Sequence, residues 1–302
     1  MRESFAATAK QKELARLARS LHGEWLKSVG AGRLTTESAQ YVVSEVRARC
    51  EELRTGLERH AITAEEHNDG RFVMVMAMRR FIDGGCEERA ARAIAREMHD
   101  LFADSPPLPH PKYRITFDYV TPHTDAWKSD LAHLKNKPGV RGLEVGCFEG
   151  QSACWWLDNI LTHPGSHLTC VDQFATPMDT ILLRFYERHF DHNIAASGSG
   201  HRVTKLIGLS QVVLRTLPAA QFDFAYVDGS HKVGDVLQDA VLTWTLVKPG
   251  AIVIFDDYDL VDDVATGLQA RVPARALDAF VSLLGDSASV LRRDWQLVLR
   301  KH

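Results

Sequence analysis

The hydrophobic pattern of this chain changes character near residue 105. Residues 1–104 are rich in Ala, Glu, Arg and Leu, which are strong helix formers. Predicted helices cover 8–28, 35–59, 63–82 and 86–103, punctuated by Gly30, Gly32, Gly84 and Gly85. Thr36 with Ser38 is placed to cap the second helix. In the third, RFVMVMAMRRF is apolar nearly all round, which predicts a helix inside a bundle.

The run ADSPPLPHPKY (103–113) holds four prolines, which fit neither a helix interior nor a central strand, so it reads as a linker. RITFDYV follows, as a short strand or an ordered lid, and DAWKSDLAHLKN (125–136) has helical spacing. From Val140 onward, strands and helices alternate. The predicted strands are 141–146, 167–172, 202–208, 222–228 and 250–256. The predicted helices are 151–162, 178–193, 210–217, 233–247 and 261–283. In the fourth of these, Val236, Leu237, Ala240, Val241 and Trp244 share one face, as a sheet-covering helix requires. SASVLRR and DWQLVLRK close the chain as an antiparallel hairpin. The expected fold is α/β: a Rossmann-like, doubly wound, mostly parallel seven-stranded sheet with a terminal antiparallel hairpin, preceded by an all-helical domain. The expected division is 1–104 helical, 105–124 linker or lid, and 125–302 sheet domain.

Composition narrows the partners. The 302 residues are 45% hydrophobic and 25% charged, as in an ordinary globular protein. A net charge of -3 gives no basic footprint, so nucleic acid is not the expected partner. Five cysteines without CxxC spacing read as reduced core thiols. No run has the length or apolarity of a signal peptide or a bilayer span, so the expected location is cytoplasmic and no membrane partner is expected.

The candidate chemistry begins at LEVGCFEG (143–150). A buried strand enters a loop with Gly146 and Gly150, a helix follows, and the next apolar run, LTCVD, ends on Asp172. Glycines let a backbone approach a ligand, and an acid after the second strand takes ribose hydroxyls. The spacing is Glu144-x-Gly146-x-x-x-Gly150 rather than GxGxxG, which points from a nicotinamide cofactor towards an adenosyl ligand lacking a pyrophosphate. Three further acids fall at neighbouring strand ends: Asp228, and the pair Asp256 and Asp257. Adjacent strands lie about 4.8 Å apart, so these carboxylates can converge, and hard oxygen ligands suit Mg²⁺. Both aspartates of the pair can coordinate only if the chain bends there. The competing reading makes them acids welcomed at a helix N-terminus.

LEVGCFEG, the Asp172 strand end, FDFAYVDGSH (222–231) and LVKPGAIVIFDDY (246–258), in this order, resemble the class I S-adenosylmethionine-dependent methyltransferases over residues 125–302. VDGSH with FDDY is similar to the subgroup of macrolide-sugar O-methyltransferases and cephalosporin-cluster methyltransferase-like proteins. Residues 1–110 match no family. The resemblance implies S-adenosylmethionine as cofactor, with Glu144 orienting the loop towards the donor's amino group. It puts Gly146 and Gly150 at the donor's carboxylate, Asp172 on the ribose, and Gly208 and Ser210 near the adenine. Ser210 is equally readable as a helix cap.

The resemblance also implies Mg²⁺ on Asp228, Asp256 and Asp257. It makes His231, with Asp228, the catalytic pair, since histidine titrates near neutral pH and can take a hydroxyl proton. His189 and His192 read as helix surface, and Trp155 and Trp156 as packing residues. The expected function is Mg-assisted O-methylation of a small specialised metabolite, sugar or aromatic hydroxyl. The helical domain is expected to cover the substrate or build a homo-oligomer, such as a dimer. The rivals are a metal-independent N- or carboxyl-methyltransferase and a non-catalytic scaffold that binds the adenosyl ligand.

Overall fold

The computed structural model describes residues 2–30, 33–103, 108, 110–174, 180–260 and 273–302. Most of the proline linker core (104–107 and 109), the start of the helix expected at 178–193 and the first twelve positions of the one expected at 261–283 lie outside the described residues. Two compact units emerge, one of residues 1–119 with 175–189, the other of 120–174 with 190–302. The helical unit thus runs to Tyr119 rather than 104, and it takes in a segment expected in the sheet domain.

The first unit holds α1 (Arg2–Val29), α2 (Thr36–Glu58), α3 (Ala64–Asp83) and α4 (Glu88–Ala103). Helix α1 packs on α3, and α2 on α4. Trp25, Val42, Val46, Met74, Met78 and Ile94 are buried there, so the apolar third helix is an interior one as expected. Two caps set the helix starts. Thr63 and Glu66 form a reciprocal capping box, and Thr35 accepts from the Ser38 amide, so the cap falls one residue before the expected Thr36. RITFDYV forms no regular strand.

The second unit is a seven-stranded sheet in the order β3-β2-β1-β4-β5-β7-β6. Its strands are β1 (Arg141–Val145), β2 (His167–Asp172), β3 (Val203–Ile207), β4 (Phe222–Val227), β5 (Val247–Phe255), β6 (Ala288–Arg293) and β7 (Leu297–Lys301). The first five are parallel, and β7 runs antiparallel to both β5 and β6. Its helices are α5 (Thr124–Asp130), α6 (Gln151–Asn159), α8 (Ser210–Val213), α9 (Val233–Leu246), α10 (Pro273–Leu284) and the part of α7 (Thr180–Ser197) from Phe190 onward, the earlier part of α7 belonging to the first unit. The helix expected over 125–136 stops at Asp130 and yields to a short 3₁₀ turn, and α8 does the same after Val213.

Strand β5 starts at Val247, earlier than expected, because a register shift between Phe222 and Phe224 absorbs Lys248, Pro249 and Gly250. Proline has no N–H for the ladder, so a bulge is where a strand tolerates it. Leu143, Val145, Ala225, Val253 and Phe255 form a core with Ala240 of α9 and Leu277 of α10. The buried face of α9 differs from the expected one. Val236, Asp239, Ala240, Thr243 and Leu246 are buried, while Val241 is 46% exposed. A carboxylate therefore sits where an aliphatic side chain was expected. Among the described residues, no helix is long and apolar enough to cross a membrane.

Candidate active site

From β1 the sheet extends through β2 and β3 on one side and through β4 and β5 on the other. Such a reversal opens a crevice at the carboxyl ends of the strands, between β1 and β4. The glycine loop leaves β1 at that point. Gly146 has φ +84°, and a Cβ added there would lie 1.9 Å from the Asp228 carbonyl oxygen. Only glycine fits where the end of β1 meets the end of β4 so closely. Gly150 has φ +78° and is the N-cap of α6, with a Cβ position 2.8 Å from the Phe190 ring.

Asp172 ends β2 beside this loop. One carboxylate oxygen accepts from the Cys147 amide at 2.6 Å and the Phe148 amide at 3.1 Å. The other accepts from the Phe174 amide at 3.1 Å. Asp172 therefore shapes the glycine loop as well as standing at the strand end. Gly208, whose amide donates to the Asp172 carbonyl at 2.9 Å, starts the loop after β3. Leu209 occupies the cap position of α8, so Ser210 is the first helical residue and not the cap.

Glu144 is fully buried. One oxygen accepts from the Ser152 hydroxyl at 2.6 Å, and the Trp156 indole also donates to the carboxyl. Burial lifts its carboxyl to about 8, against the lowering effect of the Ser152 bond. This side chain ties β1 to α6 through Ser152.

The acids at the ends of β4 and β5 do converge, and they divide into two sets. Asp228, His231 and Asp257 bring one ligand atom each within 4.8 Å of one another. His231 Nε2 lies 2.8 Å from Asp257 Oδ2. Asp256 stands beside Asp228, with the Tyr226 hydroxyl shared between the two carboxylates. It accepts from Gln296 Nε2 at 2.8 Å and from the Tyr226 hydroxyl at 2.8 Å. The bend that separates the two neighbours is visible at Asp257, with φ +54°. Of the expected trio of Asp228, Asp256 and Asp257, the first and last lie with His231, while both oxygens of Asp256 accept hydrogen bonds from Gln296 and Tyr226. Desolvation, and then the charges of Asp256 and Asp257, hold the Asp228 carboxyl well above the usual carboxylate range. Asp256 is raised by the same causes, burial first.

Several residues here carry no sequence signal. Gln296 accepts from the Trp127 indole at 2.8 Å while donating to Asp256. Tyr226 also reaches Asp228 at 3.2 Å. His123 stacks on Trp127, with 5.7 Å between ring centres, and its charge would lower the Asp256 carboxyl. The Tyr226 hydroxyl could have been suspected, since a strand residue two before Asp228 points to the same face. His123 and Gln296 come from remote parts of the chain, and only the fold brings them close. Trp156 is fully buried against Trp127 and Phe224, a packing role. Cys147, Cys154 and Cys170 are buried and unbridged.

Residues 143–258 match a family model described as a methyltransferase domain. No curated protein matches the chain. Among solved structures, a Corynebacterium glutamicum protein is 20% identical, with 74% of this chain and 95% of that one covered and a TM-score of 0.47. The O-methyltransferase TomG of Streptomyces achromogenes, involved in tomaymycin synthesis and solved with SAM, is 19% identical, with 70% and 89% covered and a TM-score of 0.46. An O-methyltransferase from Bacillus cereus in complex with SAH is 16% identical, with 70% and 90% covered and a TM-score of 0.45. The glycine loop, Asp172, Asp228, His231 and Asp257 all lie within the stretch that is similar to a methyltransferase domain.

Proposed function

We propose that the chain methylates a hydroxyl of a small molecule with S-adenosylmethionine as donor and a divalent cation, Mg²⁺, at the acceptor. The carrying observation is the meeting of Asp228, His231 and Asp257 within 4.8 Å at the mouth of the β1–β4 crevice. The donor's sulfonium supplies an activated methyl group, so the protein's task is alignment and proton removal. The amides of Gly146, Cys147, Phe148 and Gly150 donate within the protein, so the first turn of α6, beside the loop, is what offers backbone N–H groups to a carboxylate. Asp172 Oδ1 has one N–H donor and can accept another hydrogen bond, which suits a ribose hydroxyl. Gly208 and Ser210 stand on the adenine side. Glu144 acts from behind as a support for the loop.

The carboxylates of Asp228 and Asp257 would hold a hard divalent cation, with His231 beside them as base rather than ligand. Such a cation would act as a Lewis acid that lowers the pKa of an acceptor hydroxyl. It would also relieve the repulsion that raises Asp228. His231 is the base that takes the hydroxyl proton, and Asp257, 2.8 Å from its Nε2, stabilises the imidazolium that results. That short contact also favours a second reading, a metal-free His231–Asp257 dyad.

The test is incubation of labelled S-adenosylmethionine with a panel of small hydroxyl compounds, with Mg²⁺ or with EDTA, followed by mass identification of labelled products. Transfer that needs Mg²⁺ and is lost in Asp257→Asn supports the first reading. Transfer that survives EDTA supports the dyad. Donor binding in calorimetry with no transfer to any acceptor pool points to a scaffold.

A further inference from the structure

Helix α9 meets the loop that carries Asp228 and His231 with two acids. Asp235 accepts from the Ser230 hydroxyl at 2.8 Å, next to His231. One turn further along, Asp239 is 1% exposed and packs against the backbone of the same loop, for a Cβ at Gly229 would lie 3.1 Å from Asp239 Oδ2. Gly229 is not among the left-handed glycines, so the crowding there comes from packing and not from backbone strain. Asp239 also has a partner outside that loop. The Ser210 hydroxyl donates to its carboxylate, where α8 packs on α9. Ser210 starts α8 just after Gly208, whose amide donates to the Asp172 carbonyl at 2.9 Å. Segment 208–210 is thus fastened at both ends, to Asp172 at the end of β2 and to Asp239 on α9.

We propose that Asp239 is a positioning residue for donor binding: it holds Ser210, and with it the segment after β3, at the adenosine end of the donor, in fixed register with the catalytic loop against which it packs. A buried carboxylate is costly unless hydrogen bonds compensate it, so a bond from Ser210 at this place is a strong tie. Burial lifts the Asp239 carboxyl to about 6 while the Ser210 bond lowers it, so at neutral pH it is largely ionised and only accepts. The Ser210 hydroxyl proton is engaged by Asp239, and Ser210 serves the donor through the placement of its backbone. Such a role rests on S-adenosylmethionine being the donor.

The experiment is a double-mutant cycle on the full chain, with S-adenosylhomocysteine affinity read by calorimetry at pH 7.5, a condition set by the experimenter at about 1.5 units above the Asp239 value. Asp239→Ala should weaken binding by about three- to tenfold, the scale of one hydrogen bond, and Ser210→Ala by a similar factor. The double variant should bind no more weakly than either single one, because both remove the same tie. Asp239→Asn, whose amide oxygen still accepts from Ser210, should stay within about twofold of wild type. Losses that multiply in the double variant would overturn the proposal, as would wild-type affinity in Asp239→Ala or an equal loss in Asp239→Asn. Should Asp239→Ala fail to fold, Asp239→Asn and Ser210→Ala decide: near-normal affinity in the first with a loss in the second supports the tie, and any other pairing overturns it. A wild type that does not bind S-adenosylhomocysteine would sink the methyl-transfer reading together with this one, whereas a binding wild type with an unaffected Asp239→Ala sinks this one alone.

Discussion

Replacing Glu144 by Gln should stabilise the protein, and by more as pH rises. Burial raises this carboxyl from an ordinary 4.5 to about 8. Between those values the folded chain keeps a proton that the unfolded chain releases. The favourable term is therefore complete below about pH 4.5 and is lost as pH rises through about 8. Gln cannot ionise, so the variant escapes that loss. Its amide oxygen can still accept from Ser152, which now donates at 2.6 Å. Linkage over these two pKa values gives a gain of about 1 kcal/mol at pH 5, about 3 at pH 7 and nearly 5 at pH 9. Urea unfolding followed by tryptophan fluorescence at these pH values measures it, with stability taken from midpoint and slope. A gap between the two proteins that stays constant from pH 5 to pH 9 would show that Glu144 titrates normally in the folded state, and the reasoning from burial would fail.

Asp172→Ala should weaken S-adenosylmethionine binding at least tenfold in calorimetry, since it removes the proposed ribose acceptor and the three N–H bonds that shape the glycine loop. Near-normal affinity would refute the ribose role. Gly146→Ala should cost about 2–5 kcal/mol in urea unfolding, because its Cβ has no room beside the Asp228 carbonyl and the left-handed backbone adds strain. A loss under about 1 kcal/mol would mean that the β1 and β4 ends separate easily. His231→Ala should leave donor affinity intact and lower turnover by about 10²–10⁴-fold. An unchanged rate would leave the histidine a structural role beside Asp257.

Much of the sheet domain was legible in the sequence because its strands are buried on both faces and read as apolar runs between turn signals. The same local logic located Gly146, where backbone crowding excludes any side chain, and it placed Asp172 and Asp228 at strand ends. It asked for a bend at Asp256 and Asp257 if both were to coordinate; Asp257 has a left-handed backbone, and both Asp256 oxygens accept hydrogen bonds from Gln296 and Tyr226. Periodicity did less well on α9. It chose Val241 for the core and passed over Asp239, because a hydrophobic pattern assigns carboxylates to water.

What sequence alone determined was the alternation of strand and helix, the hairpin at the end and the strand-end positions of the chemically active residues, all matters of local backbone and short-range pattern. The tertiary structure alone decided which of those residues face one another. Gln296 and Tyr226 engage both oxygens of Asp256, and those contacts join residues 40 and 30 positions apart. His231 consequently meets Asp257 and Asp228, and Asp239 closes a cavity behind them. The physical reason is that a side chain's partners depend on which strands lie side by side, and the order β1-β4-β5-β7 is set by packing of the whole sheet rather than by any segment of it.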